Sequence, residues 1–165
     1  MAIAIGDEHQ ELARTTRALL ASRNARAAGR ALLEAPHEAL PDFWKEFADL
    51  GLLGLHLPTE YGGGGAGLPE LVVVVEELGR ALAPGPFVPT VAASAIVDAC
   101  GGPRLRGRLL PGLANGDTVA AFGLLGDLTL TDGRLFGDGG VVLGGGAATL
   151  FVLAVGDDMV VVPPT

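Results

Sequence analysis

The stretch that decides the fold is residues 50–63, which read LGLLGLHLPTEYGG. It follows aromatic residues at helical spacing, and Gly51 stands where a glycine in the left-handed conformation commonly ends a helix. Pro58 closes the apolar run in a turn. His56 is isolated between leucines, so a hydrogen-bonded structural histidine is a simpler interpretation than a ligand or a general base. The stretch therefore predicts a buried segment within an all-helical bundle.

Apolar residues at helical spacing predict five helices around this stretch. Asp7 opens the first, with Gln10 three positions further on as in a capping box. The arginines of that helix point away from its apolar stripe and predict a solvated face. The four later helices are predicted over 41–50, 69–83, 88–100 and 103–114, and the arginines are Arg14, Arg17, Arg23 and Arg26.

After Asp117 the apolar pattern changes to period two, which is typical of strands. Asp132-Gly133 is a strong hairpin-turn signal. Together these patterns predict an α+β fold, with an N-terminal all-α helical bundle over residues 1–116 followed by a small antiparallel β segment over 117–165. The candidate strands are 118–124, 128–131, 141–143, 149–155 and 159–162.

Composition and charge exclude several classes of function. The chain has 165 residues, 49% hydrophobic, and a formal charge of −8, so a nucleic-acid partner is not expected. No run approaches the roughly 20 apolar residues of a membrane span, and no secretory signal is present, so the expected location is the cytoplasm. Cys100, the single cysteine, lies among Ala and Ile and is expected to be a buried thiol.

Gly62, Gly64 and Gly67 formally satisfy the pattern GxGxxG of a dinucleotide-binding loop. That pattern requires a preceding strand and an acidic residue about 20 positions later. Here a proline turn precedes the glycines, and no acidic residue occurs at that distance. A loop between helices is the better interpretation.

The stretch over 50–63 resembles the "LGLLG…P.EYGG" segment of the acyl-CoA dehydrogenase family. Three further motifs agree in order and spacing. Residues 76–80, EELGR, look like a family helix. Residues 109–116, LLPGLANG, look like a family helix end, and residues 119–122, VAAF, look like the first strand of the family's β domain.

The resemblance implies a helical domain, a middle β domain and a C-terminal helical bundle. It also implies FAD-linked α,β-dehydrogenation of an acyl-CoA thioester, in which a glutamate removes the α-proton. Electrons then leave to an electron-transfer flavoprotein, and the enzyme is a homo- or hetero-oligomer. The acyl substrate, from a short fatty acyl group to a steroid side chain, stays open.

Three departures from the family pattern limit what carries over. Leu125 stands where the family has a threonine that contacts the flavin, and residues 137–151 contain no Trp to cover the ring. The C-terminal bundle, which holds the catalytic glutamate, is expected to be absent, so no catalytic residue is assigned. Glu60, Glu76 and Glu77 match structural positions of the family, where solvated or helix-pairing roles are expected.

The resemblance assigns a few candidate binding residues and no metal ligand. Phe122 and Leu124 match strand positions that line the flavin pocket, although core packing explains them equally well. A second set falls on the helix that helps wall the acyl-chain cavity in the family, where small residues also simply permit close packing. This set is Thr90, Ala93, Ser94 and Val97.

Three functions remain open from the sequence. The chain is part of a catalytic acyl-CoA dehydrogenase, a non-catalytic structural subunit that supports a competent partner, or a stand-alone module that binds acyl-CoA or an acyl carrier. An exposed apolar face that needs a partner to cover it argues against the third. In the first two cases we expect the purified chain by itself to be inactive.

Overall fold

The computed structural model describes residues 6–163 and contains six α-helices, two short 3-10 helices and five strands within that range. The α-helices are α1 (Asp7–Ser22), α2 (Ala25–Ala31), α3 (Trp44–Asp49), α4 (Leu68–Ala81), α5 (Phe87–Cys100) and α6 (Pro103–Ala114). The 3-10 helices are Thr59–Tyr61 and Gly145–Ala147. The strands are β1 (Ala120–Gly123), β2 (Thr129–Thr131), β3 (Arg134–Phe136), β4 (Leu150–Val155) and β5 (Asp158–Val162).

A helical part followed by a small β part confirms the predicted α+β class. The larger sheet is mixed, however, and not purely antiparallel. The three-stranded sheet has the order β1-β4-β5; β1 pairs with β4 in parallel, whereas β4 and β5 form an antiparallel hairpin. A separate antiparallel hairpin joins β2 and β3. Parallel pairing requires a long crossover, and the 26 residues between β1 and β4 supply it.

The helix boundaries differ from the predicted ones mainly at the N-termini. The cap of α1 is Gly6, not Asp7, and the N–H of Gly6 donates to Nδ1 of His9 at 3.1 Å. The predicted capping box with Gln10 is therefore wrong by one position. Helix α3 begins at Trp44, because residues 41–43 form a turn instead of a first helical turn. Gly51 has φ +72°, which confirms the predicted left-handed glycine.

Two elements lie outside the sequence predictions. Helix α2 has only seven residues and begins after Asn24 in a left-handed conformation, so it lacks the usual cap signal. Strand β3 follows directly from the Asp132-Gly133 turn, whose two positive φ angles, +50° and +75°, confirm the predicted hairpin. Residues 141–143, predicted as a strand, make only one bridge, between Leu143 and Phe122.

The core consists of two clusters, a helical cluster and a cluster that the helices share with the sheet. Phe43, Phe47 and Phe87 stack edge to face in the helical cluster, with centroid separations of 5.1 and 5.8 Å. Helix α1 packs along α4, and α5 packs on both α6 and β1. Val119, just before β1, belongs to the helical cluster, and Ala120 belongs to the cluster shared with the sheet.

The leucine-glycine stretch is packed inside this bundle, as predicted. Leu52, Leu53 and Leu57 are 2% exposed or less. Gly63 lies so close to the turn before it that an added Cβ would stand 2.1 Å from the carbonyl oxygen of Leu57. A side chain cannot be accommodated there, so the second half of the motif folds back directly on the first.

Candidate functional site

The glycine loop over 62–67 is closed by its own hydrogen bonds. The N–H groups of Gly63, Gly64, Gly65 and Ala66 donate to carbonyl oxygens of residues 54–58 at 2.9 to 3.1 Å. A phosphate-binding loop needs free N–H groups that point at its ligand. The loop therefore has a structural role, which agrees with the rejection of a dinucleotide motif.

An apolar cleft of about 260 Å³ opens at the carboxyl end of β1. Phe122 forms its floor, where both its backbone N–H and its carbonyl bond to Leu143, at 3.1 and 2.9 Å. The other lining side chains are more than half exposed and all apolar: Leu124 (53%), Leu125 (82%), Val141 (73%) and Leu143 (52%).

The structure thus brings Phe122 and Leu124, the two predicted cofactor-binding residues, into one cleft. Val141 and Leu143 also line it and were not identified from the sequence as site residues. Their signal was the predicted strand over 141–143, but its position beside β1 depends on a contact across about 20 residues of chain. Their role toward a cofactor stays a prediction.

The four predicted substrate-binding residues of α5 are buried between helices and sheet. Thr90 and Ala93 are 0% exposed, and Ser94 and Val97 are at most 2% exposed. Thr90 Oγ1 accepts from the N–H of Ala120 at 3.2 Å and so ties α5 to β1. In this structure their contacts are packing contacts, and their role toward a substrate stays a prediction.

Half-buried His56 and buried Ser94 form a polar pair between the leucine-glycine stretch and α5. Ser94 Oγ donates its proton to the carbonyl of Val91 at 3.0 Å, so it must accept from Nε2–H of His56, also at 3.0 Å. The other ring nitrogen, Nδ1, is buried without a partner among the described residues. Burial lowers the pKa of His56, and the carboxylate of Asp98 partly opposes this shift. His56 is thus a neutral, hydrogen-bonded structural histidine, as predicted.

Arg106 fastens α6 to the neighbouring elements. Its guanidinium pairs with Asp98 of α5 at 2.6 Å and lies 5.2 Å from the ring centroid of Tyr61. Such stacking favours arginine over lysine, because the planar guanidinium packs on an aromatic face. The contacts hold the end of the 50–63 stretch against α5 and α6.

The arginine face of α1 is not simply solvated. Arg17 donates two hydrogen bonds to the carboxylate of Glu77, at 2.9 and 2.7 Å, although Glu77 is only 4% exposed. The hydrogen bond from Arg17 lowers the pKa of Glu77 and keeps the buried group charged. Arg23 pairs with Glu46 of α3 at 2.6 Å. Arg17 and Arg23 are both more than half exposed, so the predicted solvated face is confirmed, and each also pairs with a carboxylate of another helix. A helix-pairing role for Glu77 is confirmed.

Cys100 is exposed, which corrects the expectation of a buried thiol. It is the last residue of α5, and its apolar neighbours in sequence do not fix the direction in which a helix end faces. Within residues 6–163, no group of three or more candidate ligands could hold a metal ion. No helix of the described range is long and apolar enough to cross a bilayer.

This combination of fold and sequence defines the acyl-CoA dehydrogenase family. The family model of the acyl-CoA dehydrogenase N-terminal domain matches residues 6–117. The chain belongs to this family.

Curated relatives agree with the family. Acyl-CoA dehydrogenase FadE12 of Mycobacterium tuberculosis is 41% identical over 91 residues, which cover 53% of this chain and 23% of that protein. Acyl-CoA dehydrogenase FadE34 of the same species is 32% identical over 155 residues, covering 85% of this chain and 21% of the relative. The chain thus spans less than a quarter of the length of either relative.

Among solved structures, a variant of the Tcur3481–Tcur3483 steroid ACAD is similar with a TM-score of 0.81 and 29% identity. The match covers 97% of this chain and 49% of that chain. The similarity therefore includes the β part as well as the helices.

The family implies FAD, and the cleft at β1 fits only part of a flavin. All five lining side chains are apolar, so they suit a ring face but offer no donor to a polar ring edge. Phe122 has no free backbone group to substitute for such a donor, because Leu143 occupies both. The side chains of this cleft by themselves supply apolar contacts and no hydrogen-bond donor.

Proposed function

We propose that this chain forms the N-terminal wall of an enzyme that carries out FAD-linked α,β-dehydrogenation of an acyl-CoA thioester, as part of a larger or oligomeric protein. The observation that carries the proposal is the match to the family's N-terminal domain over residues 6–117. The catalytic base and the groups that bind the polar parts of FAD would lie outside the described residues. Electrons would leave to an electron-transfer flavoprotein.

In that enzyme this chain would supply walls of the cofactor and acyl sites and no catalytic group. Phe122 and Leu124 would form an apolar wall beside the cofactor. Thr90, Ala93 and Ser94, with Val97, would hold α5 against β1 and set the position of the wall of the acyl cavity. The location would be the cytoplasm. Because the chain is similar in structure to a steroid ACAD, CoA thioesters of steroid side chains are the first substrates to test, together with short fatty acyl thioesters.

The test uses the tagged full chain isolated from its host together with whatever protein it binds. Flavin absorbance near 450 nm and dye-coupled oxidation of an acyl-CoA panel are measured for the complex and for the chain alone. We expect activity from the complex and a colourless, inactive chain. A complex without flavin and without oxidation of any thioester would contradict the proposal.

A pair of variants separates a wall of the active site from a purely structural subunit. Leu124→Ala removes a side chain of the cleft, and Leu33→Ala removes one that is 84% exposed on the helical part. If the chain walls the active site, the first variant changes KM or the flavin spectrum of the complex and the second does not. Equal behaviour of the two variants would favour the non-catalytic structural subunit.

A further inference from the structure

A hydrogen bond between the side chains of His56 and Ser94 joins the leucine-glycine stretch to α5. Ser94 is 1% exposed, and its hydroxyl proton is already donated to the carbonyl of Val91 at 3.0 Å. The hydroxyl oxygen therefore accepts from Nε2–H of His56 at 3.0 Å. This bond requires the tautomer with its proton on Nε2, so a second proton on the ring would have to bind at Nδ1.

The position of that second proton is enclosed by the chain itself. Nδ1 of His56 is buried and has no hydrogen-bond partner among residues 6–163. Because the described residues enclose this atom, its burial does not depend on any further polypeptide around the chain. A proton on Nδ1 would leave a charged donor without an acceptor among them, which is unfavourable. Burial accordingly lowers the pKa of His56.

The elements around the ring carry other charged or titratable groups. Asp98 lies on the same helix as the hydroxyl partner, and its carboxylate favours a charged ring, although burial has the larger influence on the pKa of His56. This carboxylate is paired with Arg106 of α6 at 2.6 Å. The guanidinium of Arg106 lies over the ring of Tyr61, and Glu60 of the same stretch is exposed. Asp98 therefore reduces the effect of burial without cancelling it.

We propose that His56 is a pH-sensitive latch, which holds α5 against the leucine-glycine stretch while the ring is neutral and releases it when the ring is protonated. Release would loosen the half of α5 that follows Ser94. The other half stays tied to β1, because Thr90 Oγ1 accepts from the N–H of Ala120 at 3.2 Å. The latch follows from these contacts, whereas its effect on the acyl cavity rests on the proposed function, which assigns α5 to that cavity.

Hydrogen exchange of the full chain at several pH values tests the latch. Protection factors are compared, because they remove the intrinsic pH dependence of amide exchange. Below about pH 6.5, protection in residues 95–100 should fall by up to about tenfold per pH unit, since opening then takes up one proton. The amides of α1 and α4, which pack on each other, should keep their protection.

Three variants serve as controls. His56→Gln keeps a neutral donor for Ser94 and does not titrate, so protection in residues 95–100 should no longer depend on pH. His37→Gln changes an exposed histidine and should behave as the wild type. Asp98→Asn removes the carboxylate that favours a charged ring, so the loss of protection should begin at a lower pH. An equal loss in all helices, or an unchanged loss in His56→Gln, would overturn the latch.

The isolated complex tests the effect on the acyl cavity. As the pH falls below about 6.5, KM for a bulky acyl-CoA should rise in the wild type and stay constant in His56→Gln, while kcat changes alike in both. An equal change of KM in the two proteins would overturn the link between the latch and the cavity. A complex that oxidises no acyl-CoA would count against the proposed function alone, because the exchange experiment uses no substrate.

Discussion

The helical part, residues 6–116, has an aromatic core and ion pairs between helices, whereas the β part, residues 117–163, has an open apolar cleft. In the helical part the large aromatic residues Phe43, Phe47 and Phe87 are at most 3% exposed. In the β part, Leu125 and Val141 are more than 70% exposed. Carboxylates of the helical part pair with arginines across helices, whereas no ion pair involves the described residues of the β part.

The difference indicates which part owes its stability to its own contacts. The aromatic cluster and the ion pairs between helices are contacts within the helical part itself. A small sheet with an open apolar cleft and a net negative charge gains stability when a surface covers it. Substitutions in the two parts should therefore have very different effects on the isolated chain.

The largest difference is expected between Phe47→Ala and Leu125→Ala. Phe47 stacks against two phenylalanines in the core, so its loss should cost about 3–5 kcal/mol of unfolding free energy. Leu125→Ala should change stability by less than about 0.5 kcal/mol, because the side chain is exposed. Denaturant unfolding followed by circular dichroism measures both, and similar costs would break the comparison.

A pair of glycine substitutions tests the packing of the deciding stretch. Gly63→Ala should lower the free energy of unfolding by about 3 kcal/mol. The added Cβ would collide with the backbone carbonyl of Leu57, which cannot move aside as a flexible side chain could. Gly107 lies in α6 with nothing within 4 Å of an added Cβ, so Gly107→Ala should stabilise by about 1 kcal/mol. Opposite shifts in Tm confirm the close approach; a neutral Gly63→Ala would refute it.

The smallest expected effect is a dependence on pH that belongs to the helical part. Burial lowers the pKa of His56, so below its ordinary value of about 6.5 the unfolded chain binds more protons than the folded chain. The contribution of neutral His56 to the free energy of unfolding is therefore fully present above about pH 6.5. It is lost as the pH falls through that value and below.

The variant His56→Gln should reduce the change in unfolding free energy between about pH 7 and pH 5.5, since its amide does not titrate. His37→Gln changes an exposed histidine and should keep the wild-type slope. Chemical unfolding at several pH values measures both. Identical slopes in the wild type and the His56 variant would show that the buried ring does not drive the effect.

Several parts of the fold could be predicted because their signals are local. Helix α6 runs over the predicted 103–114, and the Asp132-Gly133 turn forms as expected, since proline, glycine and apolar spacing act within a few residues. The cleft was predicted only in part. Phe122 and Leu124 were identified through the family resemblance, but Val141 reaches the cleft through a contact that no local pattern encodes.

The sequence by itself determined the helical bundle, the buried leucine-glycine stretch and the family, because these follow from short apolar and glycine motifs. Only the tertiary structure decided the parallel pairing of β1 with β4, the Arg17–Glu77 bond across 60 residues and the exposure of Cys100. Each of these depends on which surfaces meet after the chain has folded. That choice is set by the packing of the whole domain, and neighbouring residues in the sequence carry little information about it.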